Sequence, residues 1–261
     1  MHHTLLALAT LALSLTSNVA AQADIPEVVF DCQATPGACT NMCWGAYCAN
    51  YEVTLSYDKG ASKSTKRARR AKAGCGKGNR CHDSSPDPDG SSCDEYPFAS
   101  TLEADSVQQV NRCIPPDENS RALADNGFDR ATGQGGSLSS FYQNNSIAQG
   151  GEFIVGFGNP DADAVQYCGY DSSCLNDGNQ FLGDDLAPDG NQGQSKLRKR
   201  NNYYMLESGM PYLSERDNLA VGRKVKRAVK RSQAEVTLMR RSGGGPYDLV
   251  DDAVKSRIEN V

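Results

Sequence analysis

Ten cysteines constrain this chain of 261 residues more than any other feature, and all lie between Cys32 and Cys174. An even number of cysteines in one stretch is typical of an oxidised framework in an exported protein. The many possible pairings leave only local expectations. These are a bridge between Cys168 and the nearby Cys174, and a second bridge between Cys93 and Cys113 that brackets an acidic motif.

The alternative to a fully oxidised framework is a zinc site at Cys75, Cys81 and His82. No second closely spaced ligand pair accompanies these residues, so disulfides are favoured. His82 is the only histidine after residue 3, which makes it a rival candidate for a general base. A lone loop histidine without a partner motif is more often inert.

The N-terminal segment has an apolar run from Leu5 to Leu15 and ends in Val19-Ala20-Ala21. The run is too short to cross a bilayer of about 30 Å, and the small residues suit signal-peptidase cleavage. We expect residues 1–21 to be a signal peptide and the mature chain to be secreted and extracellular, with a buried N-terminal helix as the alternative. No later apolar run is long enough for a membrane span, so no membrane partner is expected.

Charge is divided unevenly along the chain. Residues 196–261 hold 15 Lys and Arg against 8 Asp and Glu, a net of +7, which leaves −12 for the rest of a chain whose total is −5. The acidic part would repel a polyanion unless a bound cation and local basic patches intervene. We predict a globular domain at 22–170, a polar Gly/Asp-rich closing segment or linker at 171–195 and a basic tail at 196–261.

The basic tail contains two stretches that favour helices. Val221, Val225, Val229 and Val236 lie along one face of the first, and the second is "PYDLVDDAVKSRIENV". The tail is therefore predicted to be helical or flexible and loosely attached. The basic run "KLRKR" at 196–200 suits a secretory processing protease, and cleavage there would release the tail.

Patterns before the tail predict short strands and helices. Strands are expected in "EVVF" at 27–30, in the alternating "YEVTLSYD" at 51–58 and in "GEFIVGF" at 151–157. Helical spacing and a Pro-Gly start favour a helix in "TPGACTNMCWGAY" at 35–47. The basic stretch "SKSTKRARRAKAG" at 62–74 is either a helix or an extended arm.

Two acidic motifs carry the candidate chemistry. "SCDEYPFAS" at 92–100 places two carboxylates between a cysteine and the sequence Tyr96-Pro97-Phe98. In "CIPPDENS" at 113–120, a cysteine is again followed by prolines and acidic residues. Phosphodiester hydrolysis needs a base to activate water and a cation to hold phosphate oxygens. Carboxylate and amide oxygens suit Mg²⁺ or Mn²⁺, and Ca²⁺ is an alternative.

Asp94 and Glu95 should point to opposite faces if residues 94–99 form a strand. Only one of them can then face a scissile phosphate, while the other orients it or pairs with an arginine. The alternative is that both acids merely cap a helix or pair with the arginines of the basic stretch, which are Arg67, Arg69 and Arg70.

Four ordered blocks give the chain a family resemblance. "SCDEYPFAST", "VNRCIPPDENS", "GQGGSLSSFY" and "GEFIVGF" resemble the NucA/NucB-type secreted deoxyribonucleases, over roughly Val28 to Tyr170. The resemblance implies an α+β protein with a small, disulfide-stapled ββα-metal nuclease fold, related to the His-Me finger enzymes, with a short antiparallel sheet and helices. The basic tail would be an addition to it.

The resemblance also implies roles for individual residues. Asp94 would be the general base, where related enzymes have histidine, and Glu95 its companion. Glu118 and Asn119 match the family's acidic-Asn pair and would bind the metal or orient the site. Gln134 opens the Gly-rich turn before the helix, where a further metal ligand is expected.

The chain departs from the family pattern in three places. Arg121 to Gly133 looks like an insertion, and the helix "SLSSFYQNN" offers no acid, which leaves Gln143 or Asn144 as possible ligands. Asn144 also begins a glycosylation sequon, and a glycan there would exclude it from metal binding.

Arg67, Arg69 and Arg70 are the expected substrate-binding residues, since a basic segment can bind phosphates by counterion release. The alternative is a solvated helix face. We predict a monomeric, secreted, metal-dependent endonuclease that cleaves DNA with little sequence specificity, RNA being a further possible substrate. Two alternatives are a non-catalytic secreted toxin or effector, and a cysteine-rich module whose acidic loops bind Ca²⁺.

Overall fold

A computed structural model describes residues 25–83, 92–119, 133–169, 172–190, 202–214, 219–230 and 247–258. Within these ranges, the side chains of residues 82, 83, 117, 133–137, 228–230, 247 and 248 are outside the description. The predicted signal peptide and the "KLRKR" run also lie outside it. In the described part of the chain, no helix is both long and apolar enough to cross a membrane.

Six strands pair in a ring, which we call the closed sheet. The strands are β1 (Glu27–Asp31), β5 (Glu152–Gly158), β8 (Asn202–Leu206), β9 (Pro211–Ser214), β10 (Lys224–Lys230) and β11 (Tyr247–Arg257). Their order in the ring is β1-β10-β11-β8-β9-β5, and β5 pairs back to β1. The arrangement is a mixed six-stranded β-barrel, because β1 runs parallel to both of its neighbours while the other pairs are antiparallel.

Alternation along β1 shows how the closed sheet divides two cores. Val29 belongs to an apolar cluster with Tyr204, Leu206, Tyr212, Val225 and Val254 from the other strands. Its neighbours Val28 and Phe30 belong to a larger cluster that includes helical side chains. Successive strand residues point to opposite faces, so one face of the ring encloses a small core and the other packs against the helices.

The longest helix in the described part of the chain has 12 residues. The first helix is α1 (Pro36–Cys43), which begins with proline at its first turn and continues as a π-helical segment, Trp44–Cys48. The basic stretch forms α2 (Lys63–Lys72), in which the Ser62 side chain accepts a hydrogen bond from the Thr65 N–H. The others are α3 (Arg80–Asp83), α4 (Glu103–Ser106), α5 (Pro116–Asn119) and α6 (Gly133–Asn144).

A second sheet of four strands, the hairpin sheet, carries the first acidic motif. Its order is β3-β4-β6-β7, with β3 (Ser92–Tyr96), β4 (Val110–Ile114), β6 (Phe181–Leu182) and β7 (Asp185–Leu186). The short strand β2 (Thr54–Ser56) instead pairs with β5 at the border of the closed sheet.

All ten cysteines form disulfides, which confirms the oxidised framework and excludes Cys75 and Cys81 as zinc ligands. The expected local pairings are wrong. Cys93 and Cys113 are cross-strand neighbours in the hairpin sheet, but they are not bonded to each other. Each is bonded to a cysteine in residues 75–81, which precede β3. The five bridges are Cys32–Cys39, Cys43–Cys168, Cys48–Cys174, Cys75–Cys93 and Cys81–Cys113.

The predicted fold class is wrong. The protein is not a small ββα sheet-plus-helix fold, because six of the seven described strands of its largest sheet close into a ring. The tail is not helical or flexible where it is described, since it supplies four of the six strands. Val221, Val225 and Val229 are four residues apart, a spacing that suits a helix but also keeps side chains on one face of a strand. Because β10 pairs with β11 and β1, this segment forms a strand and not a helix.

Candidate active site

Asp94 and Glu95 lie on β3, which pairs antiparallel with β4. Asp94 is opposite Arg112, and Glu95 is opposite Asn111. Successive residues of a strand point to opposite faces, and the partners of the two acids differ accordingly. Both side chains are buried, with 3% of Asp94 and 8% of Glu95 exposed. The motif is therefore a buried part of a sheet rather than a solvated acidic loop.

The Asp94 side chain faces α1. Its Oδ2 accepts a hydrogen bond of 2.9 Å from the Asn41 side-chain amide, which also lies 3.2 Å from the Asp94 backbone oxygen. Asn41 is fully buried in the helix. Asp94 is thus a carboxylate held in one orientation by a neighbouring helix, as a positioned base requires.

The Glu95 side chain faces α2 on the other side of the hairpin. Its Oε1 accepts a hydrogen bond of 3.0 Å from the Arg70 guanidinium. The expectation that one acid pairs with an arginine therefore describes Glu95, whereas Asp94 has a neutral amide as neighbour.

Glu118 lies beside the same helix as Asp94. Its Oε2 accepts hydrogen bonds from the backbone N–H groups of Gly37 at 2.8 Å and Ala38 at 3.1 Å. The carboxylate therefore caps the N-terminus of α1, where the helix dipole favours negative charge. Asn41 is three residues beyond Ala38, so Glu118 and Asp94 contact α1 about one helical turn apart.

Asn119 is tied directly to the acidic hairpin. Its side-chain N–H₂ donates a hydrogen bond of 2.6 Å to the backbone oxygen of Cys93, the residue before Asp94. The amide nitrogen is thereby used inside the protein, and the Asn119 carbonyl oxygen keeps acceptor capacity. The two acidic motifs are brought together in space by this bond.

The remaining predicted ligands lie at α6. Gln134 is in the first turn of this helix, but its side chain is outside the description. Gln143 and Asn144 are exposed near the other end of the helix. The side chain of His82, the rival base, is also outside the description. The structure therefore brings Asp94 and Glu118 to α1 and Asn119 to the hairpin, and the role of Gln134 stays a prediction.

The three arginines of the basic segment have different environments. Arg69 is 4% exposed, and its guanidinium donates to Asp58 at 2.8 Å, to the Ala99 oxygen at 3.1 Å and to both oxygens of Asp105. Because its guanidinium is bound inside the protein, Arg69 is a structural residue and not a surface cation. Arg70 is half-buried against Glu95, and Arg67 is exposed.

The ion pairs of Arg69 perturb the acids that contact it. The pKa of Asp58 is lowered by a hydrogen bond from Gln149 and by the bond from Arg69, although burial acts to raise it. The hydrogen bond from Arg69 lowers the pKa of Asp105. Both carboxylates therefore remain ionised at neutral pH, which keeps α2 attached to α4.

Sequence analysis missed four residues at or near Asp94, which are Asn41, Arg112, Asp177 and Gln180. Arg112 forms a two-pronged ion pair with Asp177, at 3.0 and 2.6 Å. Gln180 is fully buried, and its amide contacts Asn41. A polar Asn41 within an apolar helical stretch was a usable signal, whereas nothing in the polar segment around Gln180 marks it as buried.

Opposing effects act on the carboxyl group of Asp177. Burial acts to raise its pKa, but the hydrogen bonds and the charge of Arg112 outweigh burial and leave the pKa below its usual value. The Arg112 guanidinium is therefore neutralised by Asp177 on the face of the hairpin that carries Asp94.

A surface cavity of about 490 Å³ lies elsewhere, against the end of β1. Its lining includes Asn159, Asp161, Asp163 and Pro211, and burial raises the pKa of Asp161. None of the predicted site residues lines this cavity. The candidate site is accordingly the hairpin with α1 and α5.

The comparison with family models decides the relationship. Residues 42–156 match the model of the family described as Deoxyribonuclease NucA/NucB. The chain carries a NucA/NucB family domain. The match confirms the resemblance read from the four sequence blocks and includes Asp94, Glu95, Glu118 and Asn119. Nuclease activity is thereby supported at the level of the family. Neither a search of curated proteins nor one of solved structures gives a match to the chain.

The side chains near the hairpin can be compared with the ligands that a divalent cation needs. In the part of the chain that the structure describes, no group of three or more His, Cys, Asp or Glu side chains is arranged to hold a metal ion. Mg²⁺ is commonly held by one or two carboxylates together with waters and substrate phosphates. Glu118 and Asn119 offer carboxylate and amide oxygens, the donors that this ion prefers, so the residues present fit a hard cation.

Proposed function

We propose that the protein is a secreted, metal-dependent endonuclease that hydrolyses DNA phosphodiesters with little sequence specificity. The observation that carries the proposal is the buried Asp94 carboxylate, fixed by Asn41 at 2.9 Å on a hairpin that lies inside the NucA/NucB family match. RNA is a further possible substrate, and a monomer suffices because all the residues named belong to one chain.

Asp94 acts as the general base in this proposal. Its carboxylate accepts a proton from the water that attacks phosphorus, while Asn41 holds the carboxylate in position. An ordinary aspartate has a pKa of about 3.9 and is a weak base at neutral pH, so a second contribution is needed. A divalent cation, Mg²⁺ or Mn²⁺, held by Glu118 and Asn119 with Gln134 as a further ligand, would supply that contribution by acidifying water and stabilising charge on the phosphate.

The exposed cations of α2 supply affinity for the DNA backbone. Arg67 and Lys72 are exposed, and Arg70 places the helix beside Glu95 on the hairpin. Burial is the larger cause that lowers the pKa of Lys66, and repulsion by the neighbouring Arg70 adds to it. Crowded cations of this kind bind phosphates by releasing counterions. Arg69 is not included, because its guanidinium is bound internally.

Nicking of supercoiled plasmid tests the proposal. Wild-type protein is expected to cut DNA with Mg²⁺ or Mn²⁺ and not with EDTA, and Asp94→Asn is expected to lose about 10²-fold or more of the rate, as removal of a general base does. Asp251→Asn is the matched control, since it makes the same change on an exposed residue of the closed sheet.

Two results would contradict this function. One is a folded, fully oxidised wild-type protein that leaves DNA and RNA intact with each metal. The other is full activity of Asp94→Asn. Stabilisation by Ca²⁺ without turnover would instead favour the Ca²⁺-binding module, and a biological effect that survives Asp94→Asn would favour the effector.

Export is supported by the five disulfides and by the apolar N-terminal segment. Cleavage is expected after Ala21. Intact-mass measurement of the exported protein tests this, and a mass that includes residues 1–21 would contradict it.

A further inference from the structure

Two buried amides form a chain of hydrogen bonds behind Asp94. Asn41 donates to Asp94 Oδ2 at 2.9 Å, and Gln180 Nε2 donates to Asn41 Oδ1 at 2.5 Å. Asn41 and Gln180 are fully buried, and Asp94 is 3% exposed. The amides come from α1 and from the segment before β6, so three separate parts of the chain meet at one carboxylate.

The charge of Asp94 fixes the direction of these hydrogen bonds. An ionised carboxylate only accepts hydrogen bonds, so the Asn41 N–H₂ group must face it. The Asn41 oxygen then faces Gln180, which must present its own N–H₂ group. The Gln180 nitrogen also lies 3.4 Å from the backbone oxygen of Asn111 on β4. Each amide orientation therefore depends on the next, and the arrangement suits ionised Asp94.

Gln180 is itself held in place. Its backbone oxygen accepts hydrogen bonds from the Asn176 side chain at 2.8 Å and from the Ala187 N–H at 2.9 Å. The disulfide Cys48–Cys174 ties the start of this segment to the π-helical segment that follows α1. A rigid backbone lets the Gln180 side chain restrain Asn41 at low entropic cost.

Neither amide belongs to the part of the chain that matches the family. The match covers residues 42–156, whereas Asn41 precedes it and Gln180 follows it. The orientation of Asp94 therefore depends on residues that the family match does not include.

We propose that Asn41 and Gln180 are positioning residues for Asp94: Asn41 holds the carboxylate, and Gln180 holds Asn41. The inference rests on the proposed function, in which Asp94 is the general base. A hydrogen bond donated to the charged form of a carboxyl group favours that form. Loss of the Asn41 amide should therefore make Asp94 harder to ionise and free its side chain to turn.

Among the described side chains near Asp94, the following charged groups have partners of their own. Arg112 lies opposite on β4 and is paired with Asp177, and Glu118 of α5 caps α1. Arg80 of α3 is hydrogen-bonded to Asn111 and lies over the Phe181 ring. Glu95 and Arg70 pair on the opposite face of β3. In α1, the Asn41 side chain contacts the Asp94 carboxylate.

Three amide-to-leucine variants of the full chain test the proposal. They are Asn41→Leu, Gln180→Leu and the control Gln109→Leu, which removes an equally buried amide that donates to the Pro97 backbone oxygen. The titration of the Asp94 carboxyl carbon is followed by NMR without metal, and kcat and KM for plasmid DNA are measured with Mn²⁺.

We expect Asn41→Leu to raise the titration midpoint of Asp94 by about one pH unit, and Gln180→Leu to raise it less. We expect Asn41→Leu to lower kcat about tenfold with KM changed less than about twofold, because positioning acts on the chemical step. Gln109→Leu should change none of these values. Folded Asn41→Leu and Gln180→Leu proteins in which Asp94 titrates as in wild type would overturn the inference.

The outcomes separate the two proposals. If Asn41→Leu does not fold, Gln180→Leu decides, because it keeps the Asn41 side chain and removes only the amide that holds it. If the wild-type protein does not cut DNA, the proposed function fails, while the NMR titration still shows whether the amides control Asp94. If the midpoint moves but kcat does not, Asp94 is positioned by the amides but is not the base.

Discussion

The hairpin sheet and the closed sheet are stabilised in different ways. The hairpin sheet buries polar groups, which include Asp94, Glu95, Asn111 and Arg112. Disulfides bond both of its long strands, β3 and β4, to residues 75–81. The closed sheet has no cysteine in its strands and encloses an apolar cluster that includes Leu206 and Val254. Ring closure also leaves its strands with few unpaired edges.

The difference follows from what each sheet does. A buried polar group must find hydrogen-bond partners, and each one occupies a place that an apolar side chain could fill. The hairpin sheet therefore has less apolar burial to stabilise it, and covalent bridges offset that loss. The closed sheet carries no candidate catalytic residue and encloses a mainly apolar cluster, with a few buried polar groups that include Glu27 and Asp252.

The largest expected effect is on the hairpin sheet, through its bridge Cys81–Cys113. The double change Cys81→Ser and Cys113→Ser opens a loop whose ends are 32 residues apart, which should lower the free energy of unfolding by about 4 kcal/mol. Amide hydrogen exchange should accelerate more in β3 and β4 than in β10 and β11. Equal loss of protection in both sheets would show that they unfold as one unit and that the disulfide does not stabilise the hairpin sheet separately.

In the closed sheet, Leu206→Ala should have the next largest effect. Leu206 is fully buried in the small core, and truncation of such a leucine costs about 3 kcal/mol because a cavity remains. The measurement is urea unfolding. Leu186→Ala on β7 is the control, since this leucine is 55% exposed and its truncation should change stability by less than about 0.5 kcal/mol. A similar loss in both variants would show that Leu206 does not belong to a packed apolar core inside the closed sheet.

Local patterns predicted the parts of the fold that depend on local chemistry. The strands at Glu27–Asp31 and Glu152–Gly158 carry β-branched and aromatic residues and lie where they were expected. The alternation of Asp94 and Glu95 was also correct, because it follows from strand geometry alone. The ring closure could not be predicted, since it depends on β10 pairing with β1, about 200 residues away in sequence.

The candidate site was predictable to a similar extent. Asp94, Glu118 and Asn119 lie in motifs whose residue types suggest their chemistry. Asn41 and Gln180 matter because the fold brings them to Asp94, and of the two only Asn41, a polar residue in an apolar helical stretch, gave a signal in the sequence. The disulfide partners of Cys93 and Cys113 were missed for the same reason, since sequence spacing does not report which side chains point toward each other.

The smallest expected effects separate two neighbouring acids on β11. Asp252 is buried and accepts hydrogen bonds from Arg227 at 3.0 Å and from backbone N–H groups at Ser208 and Ala253. Burial acts to raise its pKa, but these bonds and the Arg227 charge outweigh burial and lower it. Asp251 points the other way and forms an exposed ion pair with Lys226.

Because the folded protein lowers the pKa of Asp252, its ionised form adds stability above the unfolded pKa of about 3.9, and this stability is lost as pH falls through the lower folded value. Asp252→Asn should therefore reduce the free energy of unfolding at pH 7 by about 1 kcal/mol and flatten its decline between about pH 4 and 2. Asp251→Asn should leave the urea midpoint unchanged at physiological salt, since exposed ion pairs contribute little. Equal effects of the two substitutions would mean that burial does not distinguish the two faces of β11, and that the closed sheet has no polar group inside it that stabilises the fold.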